Sequence, residues 1–318
     1  MPKSKYILSE PLKRAVEVAL HLDKPLLLCG EPGTGKTRLA EHLAGLYNEV
    51  PGEYAPFYAE PLVFGTKTTS TATDLFYVYD VLRRLRDAYA KGNVDAGDYI
   101  ELKALGKAIA FKHGSSSKGL DGIRSIKDFK QEDSLPSQSM SSVVLIDEID
   151  KAPRDFPNDI LNEIERLTFE IKEIPAVVPE VENKAKILVI MTSNNEKNLP
   201  DAFLRRCVYH YIDFPDDKLL DAIIRKHFPE LERKEGEGIL SIVPVFLELH
   251  KQSFLKKPGT AEFIDWLRML KKYQLLDLIR PPFSKLPDKL SAMLQDTLGI
   301  LLKNNNDIAL AREAIKNL

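Results

Sequence analysis

The sequence is poor in cysteine: Cys29 and Cys207 are the only two in 318 residues. They stand at neither disulfide nor paired-ligand spacing, which predicts no cystine scaffold and no thiolate zinc site, and suits a reducing cytoplasm. Six histidines are scattered without a close pair, so a histidine-based zinc site is not predicted either. No apolar run approaches the roughly 18 residues needed to cross a membrane. The opening stretch "MPKSKYILSEPLKRAVEVALHL" has basic residues but neither an unbroken apolar core nor a small-residue cleavage site, and is not read as a signal peptide. Net charge is −2, which excludes a chain built as a whole to coat nucleic acid. No repeat of about 20–50 residues is visible. What remains is an ordinary globular balance, 44% hydrophobic and 29% charged. The length exceeds what one core usually covers and predicts two domains.

Along the chain, "SEPLKRAVEVALHL" (9–22) predicts an opening helix capped by Ser9 with Pro11 in its first turn. "PLLLC" (25–29) is a continuous apolar run of the buried parallel-strand type, followed by a glycine loop and a helix from Gly35 to Asn48. "PLVFGT" (61–66) predicts a second strand, and "TATDLFYVYDVLRRLRDAYAKG" (71–92) a long amphipathic helix. Residues 112–141, rich in Ser, Gly and charge, are expected to form a mobile insertion. "SVVLIDEID" (142–150) predicts a strand ending in acids, and "PRDFPNDILNEIERL" a helix. A β-hairpin is expected over 168–186, a buried strand in "ILVIMTSN" (187–194), and a last strand in "CVYHYIDFP" (207–215). Beyond Asp216 only helical periods follow. The expected architecture is therefore an α/β core with a parallel sheet over 1–215 and an all-α lid over 216–318.

The motifs carry the chemistry. Gly30, Gly35, Lys36 and Thr37 fit G-x-x-x-x-G-K-[ST], placed after a predicted strand and opening a helix, the context that gives this pattern meaning. Glycines at 30, 33 and 35 let backbone N–H groups close around a phosphate, and the helix N-terminus adds its positive end. Lys36 would neutralise β- and γ-phosphate oxygens and the Thr37 hydroxyl would ligate Mg²⁺. The binding stretch runs Gly30, Glu31, Pro32, Gly33, Thr34, Gly35, Lys36, Thr37 and Arg38. A glycine-rich turn with a surface lysine is the bland alternative, and motif and context together disfavour it.

In "VVLIDE" (143–148), four apolar residues bury a strand and release Asp147 and Glu148 at its carboxyl end, where an open parallel sheet holds its ligands. Asp147 can hold Mg²⁺ through water, leaving Glu148 to polarise an attacking water. The competing reading is two solvated acids. Asn194, at the end of "MTSN", could position that water or touch the γ-phosphate; Asn195 is one residue further out, and a plain turn asparagine competes. Arg205 and Arg206 in "LPDAFLRRC" (199–207) could stabilise charge on a transferring phosphoryl group, within the chain or from a neighbour; taken alone, such a pair is more often structural.

The ordered set "GEPGTGKT", "VVLIDEID", "VIMTSN" and "LPDAFLRR", followed by helices, resembles the AAA+ ATPases, and within them the MoxR-like group. The resemblance covers nearly the whole chain. It implies a P-loop NTPase core with a C-terminal all-α lid, ATP and Mg²⁺ as ligands, and a homo-hexameric ring with sites between subunits. It makes Asn194 a sensor and Arg206, more than Arg205, an arginine finger. The lid helix "KKPGTAEFIDWLRML" departs from the pattern. Ala261 stands where a second sensor arginine aligns, with Lys257 and Arg268 as candidate substitutes and Trp266, the only tryptophan, nearby.

Three uses of the bond energy follow. The first is a chaperone-like cytoplasmic remodeller whose insertions at 112–141 and 168–186 act on a client protein. MoxR-like proteins often work with a partner carrying a von Willebrand factor A domain, and no such domain is visible here. The second is a nucleic-acid motor: residues 103–130 hold seven Lys/Arg against two Asp/Glu, although the aromatic interleaving expected for strand stacking is thin. The third, a small-molecule kinase, would need an acceptor pocket and a lid over the phosphates, whereas the C-terminal helices resemble the AAA+ type.

Overall fold

The computed structural model describes residues 6–50, 53–114, 120, 123, 138–174, 176–229, 237–276, 278 and 287–316. It divides into two compact units, one holding Leu8–Gly30 and Lys36–Ile212, the other holding Glu31–Gly35 and the chain from Asp213 onward, together with the residues up to Ile7.

The larger unit opens with α1 (Glu10–His21), whose Ser9 side chain accepts the Leu12 N–H at 3.4 Å. Its apolar positions Leu12, Val16, Ala19 and Leu20 fall on one buried face. Then come β1 (Leu26–Gly30), α2 (Lys36–Glu49) and β2 (Leu62–Gly65). After these follow β3 (Tyr77–Tyr79), α3 (Val81–Lys91), β4 (Ile100–Leu102) and α4 (Ala104–His113). β5 (Ser142–Asp147), α5 (Phe156–Arg166), β6 (Phe169–Ile171), β7 (Ala176–Val178), β8 (Ile187–Ser193), α6 (Asp201–Leu204) and β9 (Val208–Ile212) complete it.

Five strands form one sheet in the order β2-β5-β8-β1-β9. Every pairing is parallel. Burial explains the order. The central strands β1, β5 and β8 are near-continuous apolar runs, buried along almost their whole length, as strands covered on both faces must be. β2 and β9, at the two edges, alternate between exposed and half-buried residues. Because all five strands run the same way, Gly30, Asp147 and Ser193 arrive at one edge of the sheet.

Two shorter pairs stand apart: β3 with β4, and β6 with β7, both antiparallel. The second pair lies within the hairpin expected over 168–186, joining Phe169 to Val178 and Ile171 to Ala176. The first corrects the long helix expected over 71–92. A 3-10 turn occupies Ala72–Leu75, closed by a reciprocal Thr71–Asp74 capping box. Tyr77–Tyr79 pairs with Ile100–Leu102, and α3 begins only at Val81, capped by Asp80, whose carboxylate accepts the Arg83 N–H at 2.9 Å. Two caps and a "FYVY" stretch of strong β-formers break the helical period. The insertion expected from 112 starts later, because Lys112 and His113 still belong to α4; most of its remainder lies outside the described residues.

The smaller unit is helical: α7 (Asp217–His227), α8 (Glu237–Lys251), α9 (Thr260–Lys272), α10 (Asp288–Asp296), α11 (Leu298–Leu301) and α12 (Asn305–Lys316). It has its own core, which includes Leu220, Ile224, Phe246, Phe263, Trp266, Leu298 and Ala311. Phe246 stacks on Phe263 at 3.8 Å between ring centroids. Trp266 is fully buried and donates its indole N–H to Thr297 Oγ1 at 2.8 Å, which satisfies the one polar atom of the ring.

Candidate phosphate-binding site

β1 delivers its last residue, Gly30, to the sheet edge, and α2 starts six residues later at Lys36. The turn requires Gly33 and Gly35, with φ of +80° and +87°, a region that side chains rarely adopt. Thr34 tightens it by donating its hydroxyl to Glu31 O at 2.8 Å. The Lys36 side chain curls back and donates to Gly30 O at 2.7 Å. Lys36 as a whole is 7% exposed. Burial pulls its pKa below the usual lysine range, while Cys29, Asp150, Asp147 and Glu148 act in the opposite sense. Those neighbouring acids favour the charged form and keep a cation at the start of α2. Thr37 and Arg38, on the first turn of α2, are exposed.

The neighbouring strands meet this helix start. Thr37 Oγ1 lies 3.2 Å from both Asp147 carboxylate oxygens. Thr192, near the end of β8, donates to Asp147 Oδ1 at 2.5 Å and accepts the Glu148 N–H at 2.8 Å. Glu148 sits in the left-handed region at φ 57°, a strain of about 1–3 kcal/mol that persists only where neighbours fix the backbone. Here the fixing bonds are Glu148 N to Thr192, and Thr66 N to Asp147 O at 3.1 Å.

The Glu148 side chain is held from two sides. Lys151 Nζ lies 2.5 Å from Oε2, and Asn194 Nδ2 lies 3.5 Å from Oε1. The pairing with Glu148 raises the Lys151 pKa above the usual lysine range. Asp150, 3% exposed, accepts the backbone N–H groups of Asn194 at 3.1 Å and of Glu196 at 3.0 Å through one oxygen, fixing the turn after β8. Asn195 turns away at φ 58° and donates its N–H to Ser193 Oγ at 3.0 Å.

Thus the structure gathers Lys36, Thr37, Asp147, Glu148 and Asn194 at one sheet edge. Two further members, Thr192 and Asp150, stand inside the stretches "VIMTSN" and "VVLIDEID", which assign them no role of their own. Thr192 is a polar residue near the end of an apolar strand, and Asp150 is a third acid in the 3-10 turn just past β5. Arg205 and Arg206 lie outside this cluster, exposed on the turn after α6. Arg206 Nε makes a 3.4 Å ion pair with Glu165 at the end of α5.

The donor set suits magnesium. Thr37 and Asp147 are two hard oxygen donors side by side. No cluster of three or more His, Cys, Asp or Glu able to hold a metal occurs among the described residues. Mg²⁺ typically takes one or two protein oxygens and completes its shell with water and phosphate, whereas a dedicated all-protein cage would suit another ion.

In the smaller unit, a methyl group added at Gly33 would stand 2.7 Å from Glu262 Oε2 and 3.6 Å from Ala261 Cβ. The start of α9 therefore sets a carboxylate and a methyl against Gly33 of the loop. Arg268 is committed elsewhere, to Asp265 at 2.8 Å and towards His227 at 3.5 Å.

A family model described as AAA domain (dynein-related subfamily) matches residues 25–207. Among solved structures, one named "putative ATPase" from Cytophaga hutchinsonii is 13% identical, covering 98% of this chain and 82% of that one, with a TM-score of 0.41. No curated protein matches.

Proposed function

The chain belongs to the dynein-related subfamily of AAA domains, a P-loop AAA+ fold, and on that premise we propose that it hydrolyses ATP and spends the energy on remodelling a client protein. The observation that carries this reading is the bond network running from Thr37 through Asp147 and Thr192 to Glu148 and Asn194. It ties the phosphate loop's helix to two strand ends, as hydrolysis of a terminal phosphate requires.

In this reading the backbone N–H groups of Gly30 to Lys36 receive the β-phosphate. Lys36 exchanges its bond to Gly30 O for β- and γ-phosphate oxygens. Thr37 and Asp147 would hold Mg²⁺, which when bound would neutralise phosphate charge. Glu148 takes a proton from the attacking water, and Asn194 orients that water or the γ-phosphate. Arg206, with Arg205 as the second candidate, stabilises the developing charge from an adjacent subunit of a homo-hexameric ring. The MoxR-like resemblance supports a cytoplasmic chaperone-like role, with a von Willebrand factor A domain protein as a candidate partner. The nucleic-acid alternative rests on the basic stretch 103–130, much of which lies outside the described residues, and it is not favoured.

Two substitutions test the chemistry. Lys36→Ala should abolish ATP binding, measured by calorimetry, because the buried cation is lost. Glu148→Gln should bind ATP normally and hydrolyse it about 10²–10⁴ times more slowly. Wild-type turnover in Glu148→Gln would remove Glu148 from the mechanism and with it the proposed reaction.

A further inference from the structure

Helix α3 is amphipathic the wrong way round. Its polar side faces the protein: Arg84 Nη1 donates to the Tyr79 hydroxyl at 2.6 Å, and the Tyr99 hydroxyl donates to Asp87 at 3.1 Å. Arg83 lies over the Tyr99 ring at 5.8 Å from its centroid. The apolar side faces out. Leu82 is 81% exposed, Tyr89 92%, Leu85 51% and Val81 50%, and no residue of the helix is buried. At 3.6 residues per turn these four side chains fall within about 100° of the helix surface and span about 12 Å. A surface helix normally turns such a stripe inward.

This is not a loose segment. Asp80 caps its start, Gly92 at φ 82° closes its end, and Asp80 N donates to Tyr99 O at 2.9 Å. The chain therefore holds an ordered apolar stripe in water, the mark of an interaction surface. The rim is basic. Arg86 borders one side and Lys91 the other, with side chains 75% and 70% exposed; both lie 3.6 Å from the one Asp87 carboxylate, which leaves the rim a single positive charge in excess.

We propose that the outward stripe Val81, Leu82, Leu85 and Tyr89 docks an acidic amphipathic helix of a partner protein, with Arg86 and Lys91 pairing its carboxylates. The stripe has the width of a helix–helix seam, and the rim fixes the sign of the partner's charge. A membrane is the poorer occupant. A helix lying on lipid reaches headgroups with the basic residues of its polar face, and here Arg83 and Arg84 are engaged inward on Tyr99 and Tyr79. A symmetric pairing with a second copy is also poorer, because it would set Arg86 against Arg86. The surface stands whether or not the chain hydrolyses ATP.

The test places the photoreactive residue p-benzoylphenylalanine at position 89 of the full chain in cells of its own host, with the same residue at exposed position 312 as control. The expected adduct joins position 89 to another polypeptide, in a segment rich in Asp and Glu with apolar residues at helical spacing. That partner, purified, should bind the wild-type chain at least tenfold more tightly than the Leu82→Asp/Leu85→Asp double variant. Arg86→Glu should weaken binding at least threefold at low salt and little at high salt. The double variant should keep its melting temperature, because neither leucine is buried; should it not fold, Arg86→Glu alone decides. The proposal is overturned if the adducts are with phospholipid or a second copy of this chain. It is equally overturned if the mapped segment is neither acidic nor amphipathic, if no adduct exceeds the control, or if the variants bind as wild type does.

Discussion

The strand-end cluster and the turn carrying Arg205 and Arg206 are held in opposite ways. In the cluster, each acid has partners from distant segments: Asp147 takes Thr37 and Thr192, Asp150 takes two backbone N–H groups after β8, and Glu148 takes Lys151 and Asn194. On the turn, both arginines are exposed, and Arg206 shares a 3.4 Å pair with a glutamate whose side chain is 49% exposed. The cluster is cross-linked by its own side chains and backbone, the kind of preorganisation that limits reorganisation during a reaction. The turn carries a long cation that is lightly held and able to reach outward. That contrast supports one set of groups acting within the chain and another acting on something beyond it.

The sharpest way to break the contrast is Arg206→Ala. Loss of an arginine finger typically slows phosphoryl transfer by about 10³–10⁵-fold with little effect on ground-state binding. Arg206→Ala should therefore bind ATP as wild type does and hydrolyse almost none. Mixing it with Lys36→Ala subunits should restore some turnover, since certain boundaries would pair an intact loop with an intact arginine. Native mass spectrometry must show that mixed oligomers form, and Arg205→Ala serves as the parallel case. Mixed oligomers without rescue for either arginine would return both residues to a structural role.

The next effect is one of stability, within the cluster. Asp150→Ala removes a carboxylate that accepts two backbone N–H groups and acts on the Lys36 ammonium. Hydrogen bonds to charged groups are worth about 1.5–3 kcal/mol each, and burying the orphaned donors adds to the loss. A destabilisation of about 3 kcal/mol is expected by urea unfolding, together with a lower kcat as Asn194 loses its anchor. A change below about 0.5 kcal/mol would mean that the turn after β8 holds itself.

What was legible and what was not divides along the same line. The phosphate loop and the acids after β5 are short local patterns, and local chemistry dictates them. A glycine must stand where φ is +80°, and a buried strand must surface before it can offer acids to a ligand. Thr192 and Asp150 act across the sheet instead. Only the parallel register, with Ile146 beside Met191, sets Thr192 next to Asp147. A threonine ending an apolar run carries no sign of which neighbour it will meet. The same holds for α3: its period was visible, but not that the tyrosines beneath it would take the polar face. The helix was also expected about ten residues too early, because apolar periodicity overrode the capping signals of Thr71 and Asp80.

Thr192→Val separates shape from bonding at the cluster's centre. Valine keeps the volume and loses the hydroxyl, leaving the Glu148 N–H unpaired and Asp147 without one donor. About 1–2 kcal/mol of stability should be lost, and hydrolysis should fall about tenfold as the left-handed backbone at Glu148 relaxes, whereas Thr192→Ser should retain both. Equal behaviour of the valine and serine variants would show that packing alone fixes the strand end.

The smallest effect is expected at Glu165, and it tests the other half of the contrast. Its pair with Arg206 is solvent-exposed on both sides, at 44% and 49%. Such pairs contribute about 0–1 kcal/mol and are screened by salt. Glu165→Ala should therefore shift the unfolding midpoint only slightly and leave ATP turnover within about threefold of wild type. If the pair instead held Arg206 in its working position, removing Glu165 would cost nearly as much rate as removing the arginine itself. Adding salt would then reproduce the loss in the wild-type chain. A steady turnover in Glu165→Ala, set beside a collapse in Arg206→Ala, would show that the arginine takes its working contacts from somewhere other than the helix it rests on.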